Sequence, residues 1–471
     1  MDKLYEEVEE PVSPTGQYFN NSIISSYVVA FMEFANPFHE SLLIPFITNV
    51  FFHANPRFSS IMVRGEDGTM RWRKVEVYPE EHIKIPKLPE IKESLYDNYF
   101  NEYVTSILNA RTPQDKPLWE IHLFKYPTSK AATTAIFKLH HAIGDGYSLM
   151  SALLSCLNRA DDPSLPLSFP SRQQSHSKYA QKSLFQKICL TTSYFFGSIL
   201  DFGSSIIQTR ITEDDITPIR SGYEGTELQP FALSEIVLSL DQIKATKSKL
   251  GVTINDLVTG IIFYGIRLYM EEKDEKTKCS NSKSVILLNT RNISGYKSLK
   301  EMQKPKSEGG LWGNQFSMLQ ISIPKLTQSR ISNPLEFVWE SSKLIKKKRY
   351  SFGVYLMALL MDFERKLRGP EAVAKVLFKS AFNSSTLITN MIGPIEKTAV
   401  ENIPVNGIYF TVMGGPENLF ISLISYVNIL RITLRTLKGF IDEQKLKLCI
   451  EKAAEVIFKA AMDISEIPTT N

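Results

Sequence analysis

Only four cysteines, Cys156, Cys189, Cys279 and Cys449, are spread over 471 residues. That spacing builds no disulfide framework and suits a reducing compartment. The seven histidines include no HExxH pair and the cysteines form no cluster, so the sequence offers no recognisable zinc site. A glycine-rich nucleotide loop is also missing. The nearest candidate, RGEDGTM at 64–70, reads as a hairpin turn because aspartate and glycine suit a tight reversal. The basic run KLIKKKRY at 343–350 lacks any wider nucleic-acid motif and reads as a solvated helix edge or a contact for anionic lipid. The opening MDKLYEEVEE is too acidic and polar for a secretory signal peptide. With 43% hydrophobic and 22% charged residues, the composition is that of an ordered globular protein, not a disordered adaptor.

What the chain does have is HHAIGDG at 140–146. The preceding AATTAIFKLH alternates, with Ala135, Phe137 and Leu139 on one side and Ile136 and Lys138 on the other, which predicts a half-buried strand. Neighbouring side chains on a strand point to opposite faces, so His140 and His141 cannot do the same job. One is expected to face a cavity while the other bonds within the scaffold. Gly144 and Gly146 permit a reversal around Asp145, and SLMSALLSCLNRA then forms a helix with Leu149, Leu153 and Leu157 on one side and Ser148 as its cap. An imidazole near its ordinary pKa of about 6.5 can take a proton from an attacking alcohol and return it to a leaving group. No serine or cysteine in the elbow presents itself as a nucleophile, which favours one direct transfer. Asp145 either orients an imidazole or turns inward to an arginine. Two adjacent histidines taken alone are equally compatible with a purely structural pair.

The full string resembles the HHxxxDG signature of coenzyme-A-dependent acyltransferases and peptide-synthetase condensation domains. More narrowly, the chain resembles the plant-type wax ester synthase/diacylglycerol acyltransferase family over almost its whole length. PVSPTGQYF at 11–19, DKPLWE at 115–120, TINDLVTG at 253–260, LNTR at 288–291, GNQF at 313–316 and TNMIGP at 389–394 match family blocks in order. Thr389 and Met391 depart from the more usual serine and valine of the last block. The resemblance implies an α/β fold of two chloramphenicol-acetyltransferase-like domains of mixed sheets and helices around a central cleft or tunnel. It implies His141 as general base, His140 as its support and Asp145 as mainly structural. Acyl-CoA is then a substrate, no cofactor or metal is required, and the acceptor is a long-chain fatty alcohol or diacylglycerol, the alcohol ranking first. Transfer to a soluble alcohol or amine, and a catalytically weak lipid-binding scaffold, are the alternatives.

Domains are expected at 1–160, carrying the histidine elbow, and at 230–471, joined by a Pro-, Ser- and charge-rich linker at 161–229. In the second, a helix follows Ser239, Gly251 interrupts it, and another starts near Asn255; strands are expected at 284–290, 317–324, 384–391 and 427–435 and a final amphipathic helix after Glu443. Gly144, Gly146, Asn390 and Gly393 are the candidate substrate-binding positions, with Gly393 and Pro394 shaping a turn. Trp119 reads as a core anchor, Asn255 and Asp256 as helix caps. Arg291 has three open readings: a partner for Asp145, a contact for coenzyme A phosphates, or a solvent-exposed side chain. The donor for the tetrahedral oxyanion is a backbone N–H, Asn390 or another polar group. The apolar stretch at 188–207, interrupted by Asp201, spans a membrane, lies on its surface or covers the substrate cleft. A net charge of +4 favours anionic lipid, and the expected place is the cytosolic face of the endoplasmic reticulum membrane, with the plasma membrane as an alternative. No nucleic acid and no obligatory protein partner is implied.

Overall fold

The computed structural model describes residues 10–90, 92–169, 203, 206–207, 212–291, 311–349, 351 and 353–464. Most of the apolar stretch at 188–207 lies outside the described residues. The chain divides into two compact units. The first comprises 1–170, 289–316 and 391–415, and the second 171–288, 317–390 and 416–471. A contiguous second domain from 230 onward therefore differs from this division: two later segments fold with the amino-terminal residues.

The reason is strand pairing. In the first unit the strand Ile403–Met413 lies antiparallel to Tyr27–Phe34, which lies antiparallel to Thr133–His140, and that in turn to Trp119–Phe124. These four form the middle of a seven-stranded sheet closed at its edges by Ile83–Lys84 on one side and by Thr398–Val400 and Asn158–Arg159 on the other. Ala30, Phe31 and Met32 pair with Phe410, Tyr409 and Ile408, nearly four hundred residues away, and Phe31 stacks on Tyr409 at 4.4 Å. A small three-stranded sheet carries the expected hairpin: Ser60–Arg64 pairs with Met70–Lys74 and Gly68 takes φ +77° in the turn.

The strand Thr133–His140 is not half-buried as the alternation predicts; every residue in it is buried. It is central, and both faces are covered: Phe137 meets Phe46, while Lys138 on the opposite face reaches the carbonyl oxygens of Ile107 and Ala110. Burial pushes the Lys138 ammonium down to about 8, with Glu120 at 3.9 Å opposing the shift.

The second unit holds a six-stranded sheet in the order Phe316–Ser322, Lys283–Asn289, Thr386–Ile392, Leu419–Tyr426, Ile429–Leu437, Phe231–Ser239. The four strands expected at 284–290, 317–324, 384–391 and 427–435 start and stop within two residues of those positions, while Leu419–Tyr426 and Phe231–Ser239 were not expected. Val427 itself lies just before its strand. It sits with Asn428 in a two-residue turn at φ 55°, an uncommon conformation for a β-branched residue, and not in the strand. Ser239 caps the helix Leu240–Leu250 and Gly251, at φ +67°, ends it. The helix Ile254–Lys273 is buried along its middle, from Leu257 to Arg267, where nearly every side chain is apolar. A Cβ on Gly260 would stand 2.6 Å from Val338 Cα, and one on Gly265 2.6 Å from Ile450 Cα, so two glycines let neighbouring helices approach backbone to backbone. Among the described residues no single helix is long and apolar enough to cross a membrane.

Within residues 212–225, expected as linker, Asp214, Thr217 and Ile219–Ser221 are buried, while Ile216 and Tyr223 stay exposed. The Asp214 carboxylate accepts from the Lys283 backbone N–H and the Ser385 hydroxyl, and buried Arg220 donates to the carbonyl oxygens of Asp214 and Phe382. Charged residues in a turn-rich stretch look solvated in sequence, but here they satisfy buried backbone groups.

Candidate active site

The histidine elbow lies where Thr133–His140 leaves the sheet and Gly146–Ser155 begins as a helix. Its backbone is held from three directions. The His141 N–H donates to Ser26 O at 2.8 Å, and the Ile143 carbonyl accepts from both Arg57 Nη1 at 3.0 Å and Trp312 Nε1 at 2.9 Å.

His140 is fully buried. Its Nδ1 accepts from the Ala142 N–H at 3.1 Å, so its proton sits on Nε2, which points to Ser25 Oγ at 3.4 Å. Tyr27 meets the ring edge-on, and burial pushes its pKa down to about 3. The ring is uncharged near neutral pH, with both nitrogens facing groups of its own fold.

His141 differs. Asn314 Nδ2 donates to the His141 carbonyl at 3.0 Å, which fixes the orientation of the amide, so Oδ1 accepts at 2.8 Å from Nδ1–H of the same histidine. The tautomer follows: Nδ1 carries the proton and Nε2 carries the lone pair. Nε2 has no protein partner among the described residues and is not among the buried polar atoms left without one. The residue as a whole is 6% exposed. Phe19 lies 4.5 Å from the imidazole between centroids and Phe316 5.9 Å. Burial among such groups lowers the pKa of His141 below its ordinary value, against the opposing pull of Asp145 and the Asn314 bond, and favours the neutral base.

Asp145 turns inward. Its Oδ1 accepts from Ser148 N and Arg291 Nη2, both at 3.0 Å, and its Oδ2 from Arg291 Nη1 at 2.7 Å and Gln315 N at 2.9 Å. This carboxylate, and not Ser148, caps the helix. Ser148 Oγ instead donates to Gly313 O at 3.0 Å and accepts from Gly313 N and Arg291 Nη2, so a fully buried hydroxyl ties the elbow to the loop before Phe316. Arg291 spends its remaining donors on Leu311 O and Gly313 O and lies over the Tyr147 ring. Of its three readings, the pair with Asp145 is the one present; its guanidinium is neither exposed nor available to phosphate.

Gly144 and Gly146 do not take positive φ; what they provide is closeness. A Cβ on Gly144 would meet Ser148 Cβ at 2.9 Å, and one on Gly146 would meet Met391 Sδ at 2.9 Å. Gly393 is buried two residues beyond Met391. Trp119 is fully buried, donates from Nε1 to Phe58 O at 2.8 Å and stacks on His82 at 4.2 Å.

In the second unit, Asp256 completes a capping box with Thr253, the actual N-cap, and also accepts from Ser342 Oγ at 3.0 Å. Asn255 does not cap. Its Oδ1 accepts from Asn390 Nδ2, so two candidate residues pair with each other.

The sequence reading missed Asn314 as a partner of His141. The signal was present in GNQF, a polar residue between glycine and an aromatic, but its partner lies 173 positions earlier. Phe19 and Phe316 were likewise inside quoted motifs without a role.

The comparisons with known proteins agree over most of the chain. The family model described as wax ester synthase/diacylglycerol acyltransferase catalytic domain matches residues 53–258, and the WS/DGAT C-terminal domain matches 312–457. Wax ester synthase/diacylglycerol acyltransferase 4 of Arabidopsis thaliana is 28% identical over 451 residues, covering 91% of this chain and 85% of the relative. Number 11 of the same organism is 29% identical over 441 residues, covering 89% and 88%. Among solved structures, the wax ester synthase/diacylglycerol acyltransferase from Marinobacter aquaeolei VT8 superposes with a TM-score of 0.59 at 14% identity, covering 96% of this chain and 100% of that one. The cyclization-docking bidomain of a nonribosomal peptide synthetase from Sorangium cellulosum gives 0.58 at 13% identity, covering 97% and 85%, and so shares the two-domain α/β fold. With both family models matched in order and relatives aligned over about nine-tenths of the chain, the chain belongs to the wax ester synthase/diacylglycerol acyltransferase family.

Proposed function

We propose that this acyl-CoA-dependent O-acyltransferase uses His141 Nε2 as its general base, with a long-chain fatty alcohol as principal acceptor and diacylglycerol as a second. The observation that carries the reading is the two-way bond between His141 and Asn314, which leaves the lone pair on the one ring nitrogen without a protein partner among the described residues. The alcohol oxygen attacks the thioester carbonyl carbon while Nε2 takes its proton. As the tetrahedral intermediate collapses, the carbon–sulfur bond breaks and the imidazolium returns that proton to the departing coenzyme A thiolate.

Ser148 supports a transfer with no acyl-enzyme, because its hydroxyl is buried and committed to Gly313. Cys156 is equally unsuited: burial pushes its thiol up to about 12. Asp145 and Arg291 act by holding the elbow. The reaction runs without a cofactor, acyl-CoA being consumed. Lipid acceptors and a net positive chain are consistent with work at the cytosolic face of the endoplasmic reticulum membrane.

Purified protein supplied with labelled acyl-CoA is expected to form neutral ester from a fatty alcohol, with diacylglycerol competing, and to acquire no label itself when the alcohol is withheld. Lipid binding without ester formation, or a labelled protein, contradicts the reading.

A further inference from the structure

The helix Gly353–Arg368 in the second unit, GVYLMALLMDFERKLR, presents an apolar stripe to solvent. Leu359, Phe363 and Leu367 recur every four residues and so lie one above another on a single face. They are 66%, 60% and 67% exposed, where single exposed apolar residues are ordinary but an aligned row of three is not. The helix packs instead against the following helix, Pro370–Phe382.

Charge says what the row meets. Arg365, Lys366 and Arg368 gather at its carboxyl end, and the preceding helix Glu336–Arg349, which touches it, ends in Lys346, Lys347, Lys348 and Arg349. Across the two helices eight basic side chains stand against four acidic ones. That excess equals the net charge of the whole chain, +4. A protein surface seeking a neutral or basic partner would not concentrate its positive charge beside its exposed leucines; an amphipathic helix that lies in the headgroup region of an anionic bilayer has this pattern.

We infer that the stripe Leu359–Phe363–Leu367 is a membrane-docking surface, set into an anionic lipid leaflet with Arg365, Lys366 and Arg368 at the headgroups. This rests on the reading of the protein as an acyltransferase with lipid acceptors, which must meet them where they are dissolved. Docking is peripheral, since the helix also packs against Pro370–Phe382 and touches Glu336–Arg349.

The test uses the full chain with vesicles of phosphatidylcholine, with and without phosphatidylserine, and compares the parent with the combined variant Leu359→Ser, Phe363→Ser, Leu367→Ser. Ester formation from a short-chain acyl-CoA and a water-soluble alcohol is measured without lipid on both proteins. The parent is expected to float with the serine-containing vesicles and the variant to lose at least about tenfold in vesicle affinity, with equal turnover of the soluble pair. In Phe363→Trp, brominated acyl chains are expected to quench the new tryptophan. Equal flotation of parent and triple variant with no quenching overturns the inference, as does a parent that is dimeric in solution through this face, becomes monomeric in the variant and keeps its vesicle affinity. Absent turnover of the soluble pair by the parent instead counts against the catalytic reading, whatever the vesicles show.

Discussion

Asn314 and His141 are joined twice, Nδ1–H to the amide oxygen at 2.8 Å and amide nitrogen to the histidine carbonyl at 3.0 Å. The pair fixes which imidazole nitrogen is basic without placing a charge beside it. In families of triads an aspartate does this work and also stabilises the imidazolium; a neutral amide does only the first.

Replacing the amide should therefore separate orientation from charge. Asn314→Ala is expected to lower kcat by about 10- to 100-fold by freeing the tautomer, a range taken from other residues that orient a functional histidine. Asn314→Asp should keep the bond but place a carboxylate at Nδ1, raising the His141 pKa and moving the acid limb of kcat/KM to higher pH. In the parent that limb should lie below the ordinary histidine value, because burial lowers the His141 pKa and the neutral form is the active one. The pH–rate profiles of the three proteins check this.

The ion pair of Asp145 and Arg291, both buried, offers a stability prediction. Asp145→Asn keeps a helix cap but leaves the guanidinium without its counter-charge, at an expected cost of about 3–5 kcal/mol. Equilibrium denaturation should show it, and a double-mutant cycle with Arg291→Met should recover part of the loss.

Gly146 and Met391 should be coupled. Gly146→Ala drives a Cβ to within 2.9 Å of Met391 Sδ and is expected to cost about 1–3 kcal/mol. Met391→Val, which installs the residue more usual in the family, should relieve it. Gly265→Ala lacks such a remedy, because its obstacle is the backbone of Ile450, and no single side-chain change is expected to rescue it.

Acid should unfold the protein partly through His140. Its folded pKa, about 3, lies below the ordinary value of about 6.5 expected in the unfolded chain. Between these limits the unfolded state binds the extra proton, so stability is complete above pH 6.5 and falls as pH drops toward 3. His140→Asn keeps an acceptor for the Ala142 N–H and removes the titration. Its unfolding free energy should depend less steeply on pH, by about 1.4 kcal/mol per unit in that window.

Much of this was legible in the sequence where interactions are local. Ser239, Gly251 and Asp256 mark helix ends with their own chemistry, though the cap itself is Thr253 and not Asn255, and period-two alternation located Ile429–Leu437 to within two residues. The histidine elbow was legible for the same reason. What escaped depends on distant pairing. Nothing near residues 289–316 says that they belong with the amino-terminal sheet, since that follows from Arg291 reaching Asp145 and Asn314 reaching His141. Ser148 looked like a cap because serine so often is one; Asp145, three residues earlier, took the position and released the hydroxyl to Gly313.

The most direct measurement is single-turnover ester formation from labelled acyl-CoA and fatty alcohol by the parent and by His141→Ala, with near-ultraviolet circular dichroism confirming that both are folded. The chemical step is expected to slow by at least about 10²-fold in the variant, the lower range for loss of a general base. An unchanged rate in a folded His141→Ala protein would contradict the assignment of Nε2 as the proton acceptor.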